Sequence, residues 1–270
     1  MKQHLIALDL DGTLLTDEKT ISDRTLKTIQ EVRHRGHVVM ISTGRPFRAS
    51  QIYYQQLQLD TPIVNFNGAH IHHPKDETWG NYHSPMDLDV AKQIIDTCNK
   101  FNIYNILAEI KDDVYIHYYD ETIMEIVSMG NPLIQTGSLA DTLKFDPTSI
   151  LIHPNKNDVE TIRHYLSKEL GTLIDHRKWG APWHVIEVVK SGINKAVGVS
   201  KVADSFNIPP ERIIAFGDED NDLEMLEFAG YGVAMGNAIE EVKSIANEIT
   251  ETNEEDGLAA YLEEFFDISI

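Results

Sequence analysis

The chain has 270 residues, of which 42% are hydrophobic and 24% are charged. This is enough for one large or two moderate domains and excludes a disordered chain. Acidic side chains outnumber basic ones by 43 to 23, and the formal net charge of -20 disfavours nucleic acids and anionic membranes as partners. No segment is long and apolar enough to predict a membrane span, and the single cysteine, Cys98, excludes an intramolecular disulfide. We therefore expect a cytoplasmic protein without nucleic-acid or membrane partners, as a monomer or weak homo-oligomer.

The first part of the chain alternates short apolar runs with helical segments. Leu5–Leu8 and Val38–Ile41 are continuous apolar runs, typical of strands buried on both faces of a parallel sheet. Between them, Ser22 can cap a helix that ends at Gly36, and Pro46 is placed to open another helix. The same pattern predicts further elements of a parallel α/β core: strands at Pro62–Phe66, Arg212–Phe216 and Tyr231–Ala234, and helices at Ile193–Phe206 and Asp220–Phe228.

The middle of the chain has a different pattern. Val114–Tyr118 and His184–Val188 alternate in polarity, which predicts a sheet open on one face, and helical stretches lie at Leu88–Phe101 and Asp158–Leu170. We therefore predict an α/β core of residues 1–82 and 190–270, split by an inserted α+β domain of residues 83–189.

Asp9 and Asp11 flank one residue where the first predicted strand ends. Ligands of open α/β sheets bind beyond the carboxyl ends of the strands. Two carboxylates this close repel each other and need a cation, a shared proton or diverging directions. A Mg²⁺ ion with oxygen ligands meets that need, whereas the segment alone is equally compatible with an ordinary Asp-Gly turn.

A second acidic segment, Gly217–Asp222, also follows a buried strand and carries Asp218 and Asp222. An EF-hand calcium loop is excluded, because that loop requires Gly at its sixth position and Glu at its twelfth, where Leu223 and Ala229 stand. The segment therefore adds carboxylates at a second strand end.

Two further segments suggest phosphate binding. Ser42–Pro46 combines a hydroxyl, a glycine backbone and a helix start, which together can cradle a phosphate group. Lys195 lies near another helix start; a lysine there usually faces solvent, and only the other segments make it a candidate for holding phosphate charge.

The ordered set of motifs resembles the haloacid dehalogenase (HAD) superfamily of phosphotransferases, and the spacing of the insertion resembles its Cof-type branch. The resemblance covers essentially the whole chain. It implies a Rossmann-like parallel-sheet HAD core with an inserted α+β cap domain of the C2B type. The segments that carry it are Asp9–Thr13, Thr43–Pro46, Asn67–Ala69, Lys195, Gly217–Asp218 with Asn221–Asp222, and Asn253–Gly257.

The resemblance also implies a role for each matched residue. Asp9 is expected to be the nucleophile that forms an aspartyl-phosphate, and Asp11 the general acid and then the general base. The cofactor is expected to be Mg²⁺, bound by Asp9, the backbone carbonyl of Asp11, Asp218 and Asp222. The phosphate-binding residues are expected to be Leu10, Thr43, Gly44, Lys195 and Asn221.

The expected substrate is a small phosphorylated metabolite. Within the Cof-type branch, the chain resembles bacterial phosphatases that act on 5-amino-6-(5-phospho-D-ribitylamino)uracil, a riboflavin precursor; sugar-phosphate or pyridoxal-phosphate phosphatases, a phosphomutase and a receiver-type signalling domain are the alternatives. Multiple turnover of p-nitrophenyl phosphate would exclude the receiver domain. The candidate substrate contacts are Arg45, Trp179, Trp183 and His184, although packing within the cap explains the two tryptophans equally well.

Overall fold

The computed structural model describes residues 2–179 and 184–270. The chain forms two compact units. Unit 1 comprises Met1–Gly44, Ile52–Asn81 and Asn194–Ile270, and unit 2 comprises Arg45–Gln51 and Tyr82–Ile193. The assignment of residues 1–82 and 190–270 to a catalytic core and of 83–189 to a cap stays a prediction, because compactness alone does not assign a function to a unit.

The described residues form fourteen strands and ten α-helices. In chain order, the strands are β1 (Leu5–Leu8), β2 (Val38–Ile41), β3 (Ile63–Asn65), β4 (His70–His72), β5 (Asn81–His83), β6 (Ile103–Ile110), β7 (Asp113–Ile116), β8 (Ile134–Thr136), β9 (Ser149–Pro154), β10 (Ile174–Lys178), β11 (Ile186–Lys190), β12 (Ile213–Gly217), β13 (Tyr231–Ala234) and β14 (Glu248–Ile249). The α-helices are α1 (Asp23–His34), α2 (Phe47–Gln56), α3 (Leu88–Cys98), α4 (Glu121–Val127), α5 (Leu139–Thr142), α6 (Val159–Leu170), α7 (Lys195–Ser205), α8 (Leu223–Phe228), α9 (Glu240–Ile245) and α10 (Gly257–Phe266).

Unit 1 is built on a parallel sheet with the strand order β14-β13-β12-β1-β2. Every residue of β1, β2 and β12 is buried, as expected for strands with helices on both faces. β1 lies between β12 and β2, with Leu8 in register with Phe216 and Ile41. The carboxyl ends of three neighbouring strands therefore meet at one edge of the sheet. Next to them, β3, β4 and β5 form a small second sheet.

The start of α1 has the predicted Ser22 cap, and the start of α7 has a cap of the same kind. Ser22 caps α1 by accepting a hydrogen bond from the Thr25 backbone N–H at 3.0 Å. The chain leaves α1 through Gly36, whose φ of 88° is in the left-handed region that favours glycine. Asn194 caps α7 in the same way, with its side chain accepting from Val197 N–H at 3.1 Å.

Unit 2 is built on a sheet with the order β10-β11-β9-β6-β7-β8, antiparallel except between β7 and β8. One face packs against α3, α5 and α6 through a core that includes Ile94, Ile106 and Ile162. Leu107 and Leu151 point to the opposite face, where they pack with Ile123 of α4 and its neighbours. The second face, predicted to be open, is therefore partly covered.

The predicted fold class, a parallel α/β core with an inserted α+β domain, is confirmed. β1, β2 and β13 have the predicted bounds, whereas β11 runs from Ile186 to Lys190, two residues later than predicted. Within the described residues, no helix is both long and apolar enough to cross a membrane.

Candidate active site

Three carboxylates gather where β1 and β12 end. Asp9 follows β1, and Asp218 and Asp222 follow β12. Carboxylate oxygens of these residues lie within 4.8 Å of one another. All three residues are buried, and Asp222 is completely inaccessible to solvent. Such a cluster concentrates negative charge in a medium where charge is poorly solvated.

Lys195, the first residue of α7, supplies a cation to this cluster. Its Nζ donates to Asp9 Oδ1 and to Asp222 Oδ1, both at 2.6 Å, and its side chain is fully buried. A lysine at a helix start usually faces solvent, so this burial is decided by the tertiary structure. The Asn194 cap fixes the start of α7, and Gly68 makes it possible: a Cβ there would lie 2.4 Å from the Asn194 carbonyl oxygen.

The cluster shifts the protonation of its members. Burial, opposed by the attraction of Lys195, raises the pKa of Asp9 to about 7. Burial and the repulsion of Asp9 and Asp222 raise the pKa of Asp218 to about 9. Burial alone would lower the pKa of Lys195, but the two carboxylates that it contacts outweigh burial and raise it. Three carboxylates thus share one ammonium group, and the cluster favours an additional proton or cation.

Close backbone packing fixes the carboxylates. Gly12 has a φ of 75°, and a Cβ there would lie 2.2 Å from Asp218 Oδ2. The Thr13 hydroxyl donates to Asp218 Oδ1 at 2.9 Å. Asp222 Oδ2 accepts from the backbone N–H groups of Asp218 and Glu219 at 2.9 and 3.2 Å. These contacts hold the carboxylates in place at the strand ends.

The predicted phosphate-binding segment lies at the neighbouring strand end, after β2. Thr43 is buried, and its N–H donates to Val64 O while its carbonyl accepts from Asn67 N–H. Asn67 has a φ of 53° and accepts a hydrogen bond at Oδ1 from Asn221 Nδ2 at 3.0 Å. A Cβ on Gly44 would lie 3.2 Å from the same Asn67 oxygen. Asn67 therefore joins the segment after β2 to the segment after β12.

Asp11 occupies a separate position from the carboxylate cluster. Its Oδ1 forms an ion pair with Lys19 Nζ at 2.8 Å, and both side chains are substantially exposed. The cluster of Asp9, Asp218 and Asp222 does not include the side chain of Asp11, although its backbone carbonyl stays a predicted metal ligand. The two aspartates of the first motif therefore have different environments.

The structure gives positions, but no roles, for the other described residues of the predicted site. Leu10 is buried, and its carbonyl accepts from Leu15 N–H in the turn after β1. Arg45, Trp179 and His184 belong to unit 2. Arg45 Nη1 donates to Ala49 O at 3.3 Å, and Trp179 packs in the apolar cluster of the second sheet face. Trp183 lies outside the described residues, and all four substrate contacts stay predictions.

Sequence reasoning assigned no role to Asn67, Thr13 or Lys19, which contact predicted site residues. Asn67 and Thr13 stand in the matched motifs, so their motif membership was a usable signal. Lys19 lies in a polar loop and carries no signal of its own, because its contact with Asp11 depends on the path of that loop.

Comparison with known proteins agrees with this geometry. The family model described as haloacid dehalogenase-like hydrolase matches residues 6–262. The chain is 59% identical over 267 residues, 99% of each chain, to the 5-amino-6-(5-phospho-D-ribitylamino)uracil phosphatase YitU of Bacillus subtilis (strain 168). It is 30% identical to the pyridoxal phosphate phosphatase YbhA of Escherichia coli (strain K12), covering 97% of this chain and 98% of the relative.

Solved structures share the fold. The crystal structure of a haloacid dehalogenase-like hydrolase from Bacteroides thetaiotaomicron superposes with a TM-score of 0.85 at 28% identity, covering 98% of this chain and 100% of that one. The parallel-sheet core, the carboxylates at its strand ends and the family match together identify the protein as a hydrolase. The chain belongs to the haloacid dehalogenase-like hydrolase family. Within that family it is a phosphatase, as the ordered motifs predicted.

Proposed function

We propose that this phosphatase hydrolyses 5-amino-6-(5-phospho-D-ribitylamino)uracil, in riboflavin biosynthesis, through an aspartyl-phosphate on Asp9. The observation that carries the mechanism is the buried cluster of three carboxylates around Lys195. The substrate is supported by the 59% identity with YitU over nearly the full length of both chains. This substrate is a small phosphorylated metabolite, in line with the expected partner class.

In the first step, a carboxylate oxygen of Asp9 forms a bond to phosphorus while the bond from phosphorus to the alcohol oxygen breaks. Asp11 gives its proton to that alcohol oxygen. In the second step, water attacks phosphorus, the bond to Asp9 breaks, and Asp11 takes the proton of the water. The products are the alcohol and inorganic phosphate, and positioned proton transfer of this kind is typically worth about 10²–10⁴-fold in rate.

The donor set fits Mg²⁺. Asp9, Asp218 and Asp222 offer hard carboxylate oxygens within 4.8 Å of one another, and their excess negative charge favours a divalent cation. In the proposal these residues hold Mg²⁺ together with the Asp11 carbonyl. Bound Mg²⁺ supplies positive charge that offsets the repulsion between the Asp9 carboxylate and the phosphate.

The residues after β2 and β12 complete the phosphate site in this proposal. Thr43, the Gly44 backbone, Asn221 and Leu10 hold the phosphoryl oxygens, and Lys195 adds the buried positive charge. The substrate contacts of this proposal are those predicted from the sequence, Arg45, Trp179, Trp183 and His184, and we expect the enzyme to act in the cytoplasm.

The proposal is tested by steady-state kinetics with Mg²⁺ on the uracil compound, pyridoxal 5′-phosphate and hexose phosphates. We expect kcat/KM for the uracil compound to exceed the others by at least about tenfold. Asp9→Asn should reduce kcat at least about 10³-fold and abolish trapping of the acyl-phosphate, because the nucleophile is lost. Asp204→Asn, an exposed position on α7, is the control.

Preference for hexose phosphates or pyridoxal 5′-phosphate would contradict the substrate and leave the mechanism standing. The 30% identity with YbhA makes pyridoxal 5′-phosphate the second candidate. Substantial activity in Asp9→Asn would contradict the mechanism whatever the substrate.

A further inference from the structure

The ion pair between Lys19 and Asp11 stands apart from the buried cluster. Lys19 Nζ lies 2.8 Å from Asp11 Oδ1, and the two side chains are 50% and 41% exposed. Ion pairs this exposed contribute little to stability. Stability therefore does not account for this contact, and any role of Lys19 in the reaction would act through the Asp11 carboxylate that it contacts.

Hydrogen bonds between Thr16 and the residues Lys19 and Thr20 close the loop that carries Lys19. Thr16 N–H donates to Thr20 O at 2.9 Å, and Lys19 N–H donates to Thr16 O at 2.8 Å. The hydroxyls of Thr16 and Thr20 form a further hydrogen bond at 2.9 Å. Lys19 has a φ of 58°, an unfavourable conformation for a residue with a long side chain, and such strained residues concentrate at functional sites.

Other parts of unit 1 fix this loop from outside. The hydroxyl of Tyr53, a residue only 7% exposed, donates to Lys19 O at 3.1 Å. Asp17 N–H donates to Glu254 Oε1 at 2.6 Å, and Asn253 Nδ2 donates to Leu15 O at 2.9 Å. The backbone of Lys19 is thus held by α2 and by the segment before α10, so that its flexible side chain starts from a fixed position.

We propose that Lys19 is a positioning residue for Asp11 in the phosphatase reaction. Its ammonium group donates to Asp11 Oδ1, and the proton is transferred through the other carboxylate oxygen, Oδ2. This inference rests on the proposed role of Asp11. As the bond from phosphorus to the alcohol oxygen breaks and the bond to Asp9 forms, the proton on Oδ2 passes to the alcohol oxygen. Lys19 keeps its proton throughout and can donate to Oδ1 whether the carboxyl is ionised or neutral.

This arrangement predicts an effect that depends on the leaving group. An alkyl alcohol leaves poorly without a proton, whereas p-nitrophenolate leaves without one. Loss of Lys19 should therefore slow the cleavage of an alkyl phosphate and spare that of p-nitrophenyl phosphate. A merely structural role would affect both esters alike.

The experiment measures leaving-group release in a single turnover with Mg²⁺, using ribitol 5-phosphate and p-nitrophenyl phosphate. Lys19→Gln should slow ribitol release at least about tenfold and p-nitrophenolate release less than about twofold, because only the positioning of the acid is lost. The concentration that gives half the maximal single-turnover rate should stay unchanged for both esters. Lys19→Arg should recover most of the rate, since the guanidinium can still donate to Oδ1. Lys243→Gln removes a partly exposed lysine from a pair with the exposed Glu240, and should change neither rate.

Asp11→Asn is the reference for the acid itself. If Asp11→Asn slows the two esters equally, the proposed role of Asp11 fails and this inference fails with it. If Asp11→Asn discriminates between the esters and Lys19→Gln does not, only the inference fails. If Lys19→Gln instead raises the concentration for half the maximal single-turnover rate of both esters and leaves the maximal rates unchanged, Lys19 binds substrate, and this result would likewise overturn the inference.

Discussion

Each unit of the molecule buries charged side chains, and the two sets differ in balance. In unit 2, Arg48 Nη2 contacts Glu109 Oε1 at 2.5 Å, and both side chains are 6% exposed. Ser149 donates to the other Glu109 oxygen at 2.9 Å. One cation thus meets one anion. In unit 1, three carboxylates share the single ammonium group of Lys195.

The difference separates a buried ion pair that can be purely structural from a buried cluster that can bind a further ion. A balanced, hydrogen-bonded pair has its partners within the protein and does not favour a further ion. An unbalanced cluster lowers its electrostatic free energy when it binds a cation, as the proposed Mg²⁺ site requires. The distinction lies in the count of charges, since both sets are deeply buried.

The largest effect is expected from removing the one cation of the unbalanced cluster. Lys195→Met should reduce kcat by at least about 10³-fold, because the phosphate site loses its buried positive charge. It should also lower the free energy of unfolding by about 3–5 kcal/mol in EDTA, since breaking a buried pair leaves unpaired charge. Urea titrations with EDTA or Mg²⁺ measure the second effect, and Mg²⁺ should recover part of the loss.

Lys243→Met is the control for this prediction. Unchanged stability of Lys195→Met in EDTA would mean that the cluster is neutralised by bound protons alone, and the contrast between the two units would fail.

The balanced pair is tested by removing one or both of its charges. Arg48→Met should lower the free energy of unfolding by about 3–5 kcal/mol, because Glu109 is left buried and unpaired. The double variant Arg48→Met, Glu109→Leu should recover most of that stability. Urea titration measures both effects. Arg24→Met, which breaks a pair with a 45% exposed arginine, should cost less than about 1 kcal/mol.

If the double variant is as unstable as Arg48→Met, the charges themselves are needed, and the pair is more than a replaceable structural contact.

The smallest effect is expected at His37, a buried histidine between α1 and β2. Burial lowers the pKa of His37 to about 4, with help from His4, the N-terminal amine and Arg35. Between pH 6.5 and 4 the unfolded chain therefore binds more protons, so stability rises with pH and is lost as pH falls through this range. The slope of the unfolding free energy against pH is proportional to the difference in bound protons between the unfolded and the folded state. His37→Asn should reduce that difference by up to about one proton, which urea titrations at several pH values would measure.

His34→Asn is the control, because His34 is an exposed histidine at the end of α1, three residues before His37. An unchanged slope in His37→Asn would mean that His37 does not titrate abnormally.

The fold was largely predictable because its core strands are continuous apolar runs. β1, β2 and β13 could be bounded from hydrophobicity alone. The predicted strand began two residues before β11, because His184 and Val185 continue the alternating polarity, and polarity does not show that the strand pairing begins at Ile186. Coverage of the second face of the unit 2 sheet by α4 was missed, since alternation records polarity and not what packs against a face.

The candidate site was predictable as a set of residues but not as an arrangement. Asp9, Asp218, Asp222 and Lys195 could be named from their positions near strand ends and helix starts, and they do come together. The pairing of Asn67 with Asn221 could not be derived, because it depends on how the segments after β3 and β12 approach each other in the folded chain. Neither could the contact of Lys19 with Asp11, which depends on a loop closed by Thr16 and Thr20.

The sequence by itself determined the parallel core, its insertion and the order of the chemical residues, because these depend on local hydrophobicity and on motifs of short range. Only the tertiary structure decided the environments that distinguish identical side chains. Asp9 is buried beside Lys195, whereas Asp11, two residues later, is partly exposed beside Lys19. The physical reason is that burial and electrostatic balance depend on segments distant in sequence, which converge only when the sheet edge forms.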